Sequence, residues 1–178
     1  MEKSETMRRI EKQHKKKYVS GLESGFSLIE LLIVVAIILI IAGIAIPNYI
    51  RSKMTANEAA TVENIRSIST ANVVYSTTYG IGYAASLAKI GPPTGAGPAT
   101  VNAADLIDAV LAAGVKAGYN FTYAAGPISA AGTIDTYTLN ADPRTPNFSG
   151  TRHFFVNATG VIRFNASAPA ASTDPPVQ

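Results

Sequence analysis

Few residues in this chain are equipped for chemistry, and one of them stands in an unusual place. Glu30 is the only charged side chain between Phe26 and Ile46, in a run that otherwise holds Ser27, one Gly and apolar residues. As a helix that run is about 31 Å long at ~1.5 Å per residue, close to the ~30 Å hydrocarbon core of a bilayer. A carboxylate costs free energy in hydrocarbon, so one placed there is a candidate functional group. The plain alternative is a single-pass anchor with a tolerated interfacial Glu. Gly25 immediately before the run and Pro47 immediately after it argue against that alternative.

Elsewhere the chemical inventory is thin. The chain has two histidines and no cysteine, and it lacks a P-loop, a dinucleotide Gly fingerprint and any zinc-ligand spacing. No enzyme, cofactor or metal site is expected. His153, beside Phe154 and Phe155, reads as a satisfied strand residue. Asp105 and Asp108 would share a helical face, but with no His or further carboxylate nearby they read as solvated charges. Four Asn-x-Ser/Thr triplets, at Asn120, Asn147, Asn157 and Asn165, match the glycan-acceptor pattern. Strands rich in Asn and Thr produce that pattern without modification.

Gly25-Phe26-Ser27-Leu28-Ile29-Glu30-Leu31-Leu32 resembles the processing site of type IV prepilins and the related pseudopilins of type II secretion. The strong resemblance covers residues 25–79. It implies leader cleavage after Gly25 by a prepilin peptidase, N-methylation of Phe26, and a role for Glu30 in subunit assembly. Many type IV pilins also pin their C-terminal region with a disulfide. This chain has no cysteine and must close its sheet in another way.

Charge agrees with a removable leader. Residues 1–25 hold seven Lys/Arg and four Glu, whereas the rest holds eight of each sign. The basic pI therefore belongs to the leader, and no nucleic-acid patch remains. Lys15-Lys16-Lys17 reads as a topological and lipid-surface signal. The Lys/Arg excess before the span, against Arg51 and Lys53 after it, puts the N-terminus in the cytoplasm and exports the rest. An ordinary secretory signal is cut after its apolar segment; here the candidate cut precedes it and the helix is kept.

The elements that must position these residues follow in order. Residues 1–25 form the cytoplasmic leader and 26–47 the membrane-spanning and filament-core helix. Pro47 removes a helical donor from the carbonyl of Gly43 and biases Ile46 away from helical geometry, so Gly43 and Pro47 mark an expected helix break. Residues 48–79 read as an amphipathic helix with Val62, Ile65, Ile68, Tyr75 and Tyr79 on one face, and Glu58, Glu63 and Arg66 pointing elsewhere. Gly80 and Gly82 end it. Residues 80–117 connect, with a helical turn between Tyr83 and Lys89 and a short helix over 103–112 capped by Asn102 and ended by Gly114.

Residues 118–165 form an antiparallel sheet of about four strands: Tyr119–Tyr123, Thr133–Leu139, His153–Val156 and Val161–Phe164. Asn157–Gly160 makes a hairpin loop, and Pro143 argues against a central strand across 142–147. Residues 166–178 read as a flexible Pro/Ala tail or one laid over the surface. The fold class is α+β, a long N-terminal helix on a small C-terminal sheet. By resemblance the chain is a structural subunit of a type IV pilus. Its partners would be itself as a helical homopolymer, the prepilin peptidase, an inner-membrane assembly platform and inner-membrane lipid. It would reside in a bacterial inner membrane and then in a surface pilus. A major pseudopilin in a periplasmic pseudopilus is the nearest alternative. A signal-anchored periplasmic binding domain is a further one, and the cut before the helix speaks against it.

Overall fold

A computed structural model describes residues 25–95 and 97–177. The basic leader, including Lys15-Lys16-Lys17 and His14, lies outside the described residues. The chain divides into two units, Met1–Ile44 and Ala45–Gln178.

Helix α1 spans Leu28–Tyr79 and belongs in part to each unit. In the first unit it carries the apolar run, whose large side chains are exposed. This part is long and apolar enough to cross a membrane. Its exposure is the pattern expected of a surface meant for lipid or for other helices. The helix is continuous through Gly43 and Pro47, the turn expected to be its weakest. Pro47 deletes one backbone donor, and the bonds on either side are enough to carry the helix past it.

In the second unit α1 becomes one-sided. Glu58, Thr61, Ile65, Ile68, Asn72 and Tyr75 are buried at helical spacing, while Glu63 and Arg66 face water as an exposed pair at 3.5 Å. Tyr79 is the last helical residue. Gly80 and Gly82 follow with positive φ, and a side chain at Gly82 would collide with the backbone of Ile134. That close approach lets the Tyr83 amide donate to the Ile134 carbonyl at 2.7 Å.

The sheet has five strands in the order β1-β2-β3-β4-β5, all antiparallel: Val115–Lys116, Tyr119–Ala125, Tyr137–Pro143, His153–Asn157 and Arg163–Asn165. The sequence reading of about four strands misses β1, which is two residues long and too short to show a period. It also places the third strand too early. β3 runs on to Pro143, which pairs with Tyr119 of β2, whereas pairing with β4 ends at Ala141. Pro143 thus occupies a strand end with one neighbour, where its missing N–H is tolerated.

Alternation along the strands builds the core. Tyr119 and Phe121 of β2, Leu139 and Ala141 of β3, and Phe154 and Val156 of β4 are buried with Ile65, Ile68 and Tyr75 of α1. Tyrosines join the edges of this core: Tyr83 meets Tyr137 edge-on at 4.9 Å, and Tyr123 stacks on Tyr137 at 5.5 Å. Buried Asn72 donates to the Ile68 carbonyl and receives the Ala84 amide, and its side-chain oxygen lies 3.0 Å from the Tyr123 hydroxyl.

The connection differs from the sequence reading. Its helices are α2, Leu87–Ile90, and α3, Ala109–Ala112. Residues 104–107 do not coil, because their amides donate to the carbonyls of Lys89, Ile90 and Gly91. Asp105 takes a positive φ there, and Asn102 accepts from Lys89 Nζ rather than capping a helix. The cap of α3 is Asp108, which receives the amides of Val110 and Leu111 and pairs with Lys116. Asp105 and Asp108 therefore share no helical face, and the described residues hold no cluster able to ligate a metal.

Of the two expectations for the tail, flexible or laid over the surface, the bonding fits the second. Phe164 donates to the Pro175 carbonyl and Val177 to that of Ile162, while Arg163 Nη1 reaches the Asp174 carbonyl. Asn140 donates to Ala170, which is buried, as is Phe155 opposite Asn140 on the same face. The tail hence covers both the open side of β5 and the outer face near Phe155.

Candidate assembly segment and the clamp on the sheet

The entry to α1 is built by Ser27 and Glu30. Helical residues begin at Leu28, which makes Ser27 the capping position and Glu30 the third residue of the first turn. The Ser27 amide donates to Glu30 Oε2 at 2.9 Å, and the Ser27 carbonyl receives the Leu31 amide at 3.2 Å. This is half of a capping box: an N-terminal amide without a helical partner is bound by a carboxylate three residues on. The negative charge also faces the positive end of the helix dipole. The second carboxylate oxygen makes no hydrogen bond among the described residues, so Glu30 can hold its own helix start and still receive another donor.

Gly25 and Phe26 precede the helix and belong to no helix or strand. Phe26 is 77 % exposed. A side chain built at Gly25 would meet no atom of the chain within 4 Å, and the same holds at Gly43. Neither position is kept small by packing inside the subunit.

A second site, missed from the sequence, is the clamp that holds the loop before β4. The sequence reading points Glu58 away from the packed face of α1. It is buried instead. Its Oε1 accepts from the Thr151 amide at 2.8 Å, the Thr151 hydroxyl at 2.9 Å and the Arg152 amide at 3.2 Å, and its Oε2 from Arg152 Nε at 2.7 Å. Burial pushes this carboxyl up. The bonds from Thr151 and Arg152 outweigh that effect and hold it below the ordinary glutamate value.

One residue earlier, Asn57 Nδ2 donates to the Ser149 carbonyl at 2.8 Å, and a turn before that Lys53 Nζ lies 4.9 Å from the centre of the Phe148 ring. Gly150 leaves room for Tyr119, whose hydroxyl donates to the Arg152 carbonyl at 2.8 Å. Burial pushes that hydroxyl's pKa well up, so it stays a donor. Stepping back seven residues from Ile65 gives position 58, so the stripe itself was the available signal. His153 is satisfied by Asp142 at 2.6 Å.

Among the residues singled out in the sequence, the structure brings together Ser27 and Glu30 around the helix start. Gly43 and Pro47 lie within α1, apart from that site. Residues 22–46 match the prokaryotic N-terminal methylation motif. No curated protein and no solved structure matches the chain. The segment that contains Gly25, Phe26 and Glu30 is therefore the leader signature of type IV prepilins and pseudopilins.

Proposed function

We propose that the chain is a structural subunit of a type IV pilus, stored in the inner membrane and then polymerised. The observation that carries this reading is the methylation motif at residues 22–46, continued by one helix into an α+β unit. A prepilin peptidase hydrolyses the Gly25–Phe26 peptide bond, and the released amine of Phe26 is methylated. The open space around Gly25 supports this, since a bulky residue there would obstruct an approaching enzyme rather than the fold.

The apolar part of α1 then parks the subunit in the bilayer. Glu30 lies about 6 Å along the helix from Phe26, close enough to the cytoplasmic interface to stay hydrated. This keeps its cost below the ~2.5–3.5 kcal/mol of a charge at a helix centre. During assembly by the inner-membrane platform the apolar helices pack on one another and water is lost from around Glu30. Its carboxylate then pairs with the Phe26 amine of a neighbouring subunit. Desolvation offsets most of the attraction in such a pair; its value is axial register. Gly43 and Pro47 supply the turn most easily loosened as helices pack.

Electron microscopy of material sheared from cells, with the subunit identified by mass spectrometry, tests the reading. Long external filaments of this chain are expected. A chain confined to the cell envelope, in fibres that never leave it, would assign it to a secretion pseudopilus instead.

A further inference from the structure

The loop 144–152 descends along α1 toward its apolar end. Its successive contacts fall at Glu58 for Thr151 and Arg152, at Asn57 for Ser149 and at Lys53 for Phe148. The loop is stiff: Ser149 Oγ donates to the Thr145 carbonyl and receives the Thr145 amide, both at 3.1 Å, and Asn147 holds a positive φ. A stiff loop nonetheless displays a large apolar side chain, Phe148, 48 % exposed beside a cation.

Distance along the helix says what that side chain meets. Lys53 is seven residues beyond Ile46, so its Cα stands about 10 Å above the end of the apolar run. Helical side chains lean back toward the N-terminus, which carries Nζ and the adjoining ring toward the apolar end. A headgroup layer reaches some 5–8 Å past the hydrocarbon. Tyr49, 68 % exposed, lies in the same layer, where tyrosine is favoured at membrane interfaces. Arg51 and Lys53 on the helix and Arg144 at the head of the loop are exposed and make no ion pair among the described residues. The acids closest in the clamp are already engaged, Glu58 with Arg152 and Asp142 with His153.

We propose that Phe148, with Lys53 and Arg51, forms a foot that rests on the anionic lipid surface of the exported leaflet while the subunit is stored. The ring enters the interface and the cations meet the lipid phosphates. This rests on the reading of α1 as a membrane anchor. The foot braces the exported unit against the bilayer, and it must detach when the subunit is drawn into a fibre.

The chain has no tryptophan, so Phe148→Trp provides a single indole reporter at the foot. Ile128→Trp is the control, since Ile128 is 72 % exposed and its loop pairs through Ile134 with Gly82, beyond the far end of α1. Both full-length variants are reconstituted into vesicles of phosphatidylethanolamine with phosphatidylglycerol, with and without brominated acyl chains. The emission of Phe148→Trp is expected to shift to shorter wavelength and to be quenched by the brominated lipid, with Ile128→Trp unaffected. Adding Arg51→Glu and Lys53→Glu should abolish the quenching, and phosphatidylcholine vesicles should weaken it. Unquenched emission from Phe148→Trp in a chain that resists alkaline carbonate extraction would overturn the foot alone. Extraction by carbonate would overturn the anchor itself. A shift that grows with protein density but is insensitive to brominated lipid would assign the loop to contacts between subunits and end the proposal.

Discussion

The Glu58 carboxylate and the Arg152 side chain meet at 2.7 Å across 94 residues of sequence, joining the middle of the long helix to the residues just before β4. With the Thr151 bonds, this contact closes a chain that has no disulfide. Glu58→Ala leaves two amides, a hydroxyl and a guanidinium without their acceptor. We expect a loss of about 3 kcal/mol in stability, read as a lower thermal midpoint by near-UV circular dichroism of the detergent-solubilised chain. Glu63→Ala, at an exposed pair, should change the midpoint little.

The same carboxylate sets a pH dependence. Its folded-state pKa lies below the ordinary value of 4.5, so the folded chain binds the proton less readily than the unfolded chain. The stabilisation is complete above that ordinary value and is lost as pH falls below it through the folded-state value. Wild type should therefore lose stability on acidification more steeply than Glu58→Gln, in thermal melts taken at descending pH. Parallel curves for the two proteins would remove Glu58 as the source.

Processing is read at Gly25. Mature protein from filaments should begin at N-methylated Phe26 on N-terminal sequencing. Gly25→Val should accumulate as the full-length precursor in the membrane, with the fold of residues 45–177 unchanged because none of the described residues packs on Gly25.

Glu30 has two duties that substitutions separate. Glu30→Gln keeps an oxygen for the Ser27 amide but removes the charge; Glu30→Leu removes both. Both should insert and be cleaved, and neither should enter filaments at wild-type levels, whereas Glu30→Asp should be partly active. Fractionation of membrane pool against sheared filament measures this. Wild-type filament from Glu30→Leu would exclude pairing as an assembly requirement.

Pro47→Ala restores the amide that the Gly43 carbonyl lacks and removes a helical penalty of roughly 3 kcal/mol. Because α1 is already continuous in the subunit, insertion should be unaffected. The effect should appear only in the fibre, as fewer or stiffer filaments in force-extension measurements.

The long helix was legible because two local signals agreed, a stripe through Ile65, Ile68 and Tyr75 and a stop at Gly80. The motif around Gly25 and Glu30 was legible because its residues are adjacent in sequence. Glu58 was not, since its partners lie 93 and 94 residues away and charge is ordinarily a sign of solvent. Asn102 and Asp108 are both good caps by composition. Only the donation of residues 104–107 to the end of α2 decided between them. Pro143 misled for a related reason: proline excludes a strand with two neighbours, and register alone shows where β3 has one.

The Pro-rich tail has a consequence for how copies of the chain can associate. A subunit held at high density in two dimensions risks joining its neighbours through any strand whose hydrogen-bonding groups remain open. On β5 that side is taken by Pro175, Pro176 and Val177, and two of these three residues have no amide to offer a further strand. The opposite margin is β1, only two residues long. The tail therefore denies a neighbouring copy the β5 margin as a template. Among the described residues the long exposed apolar run belongs to the N-terminal part of α1, so copies held side by side meet through that helix rather than through the β5 margin.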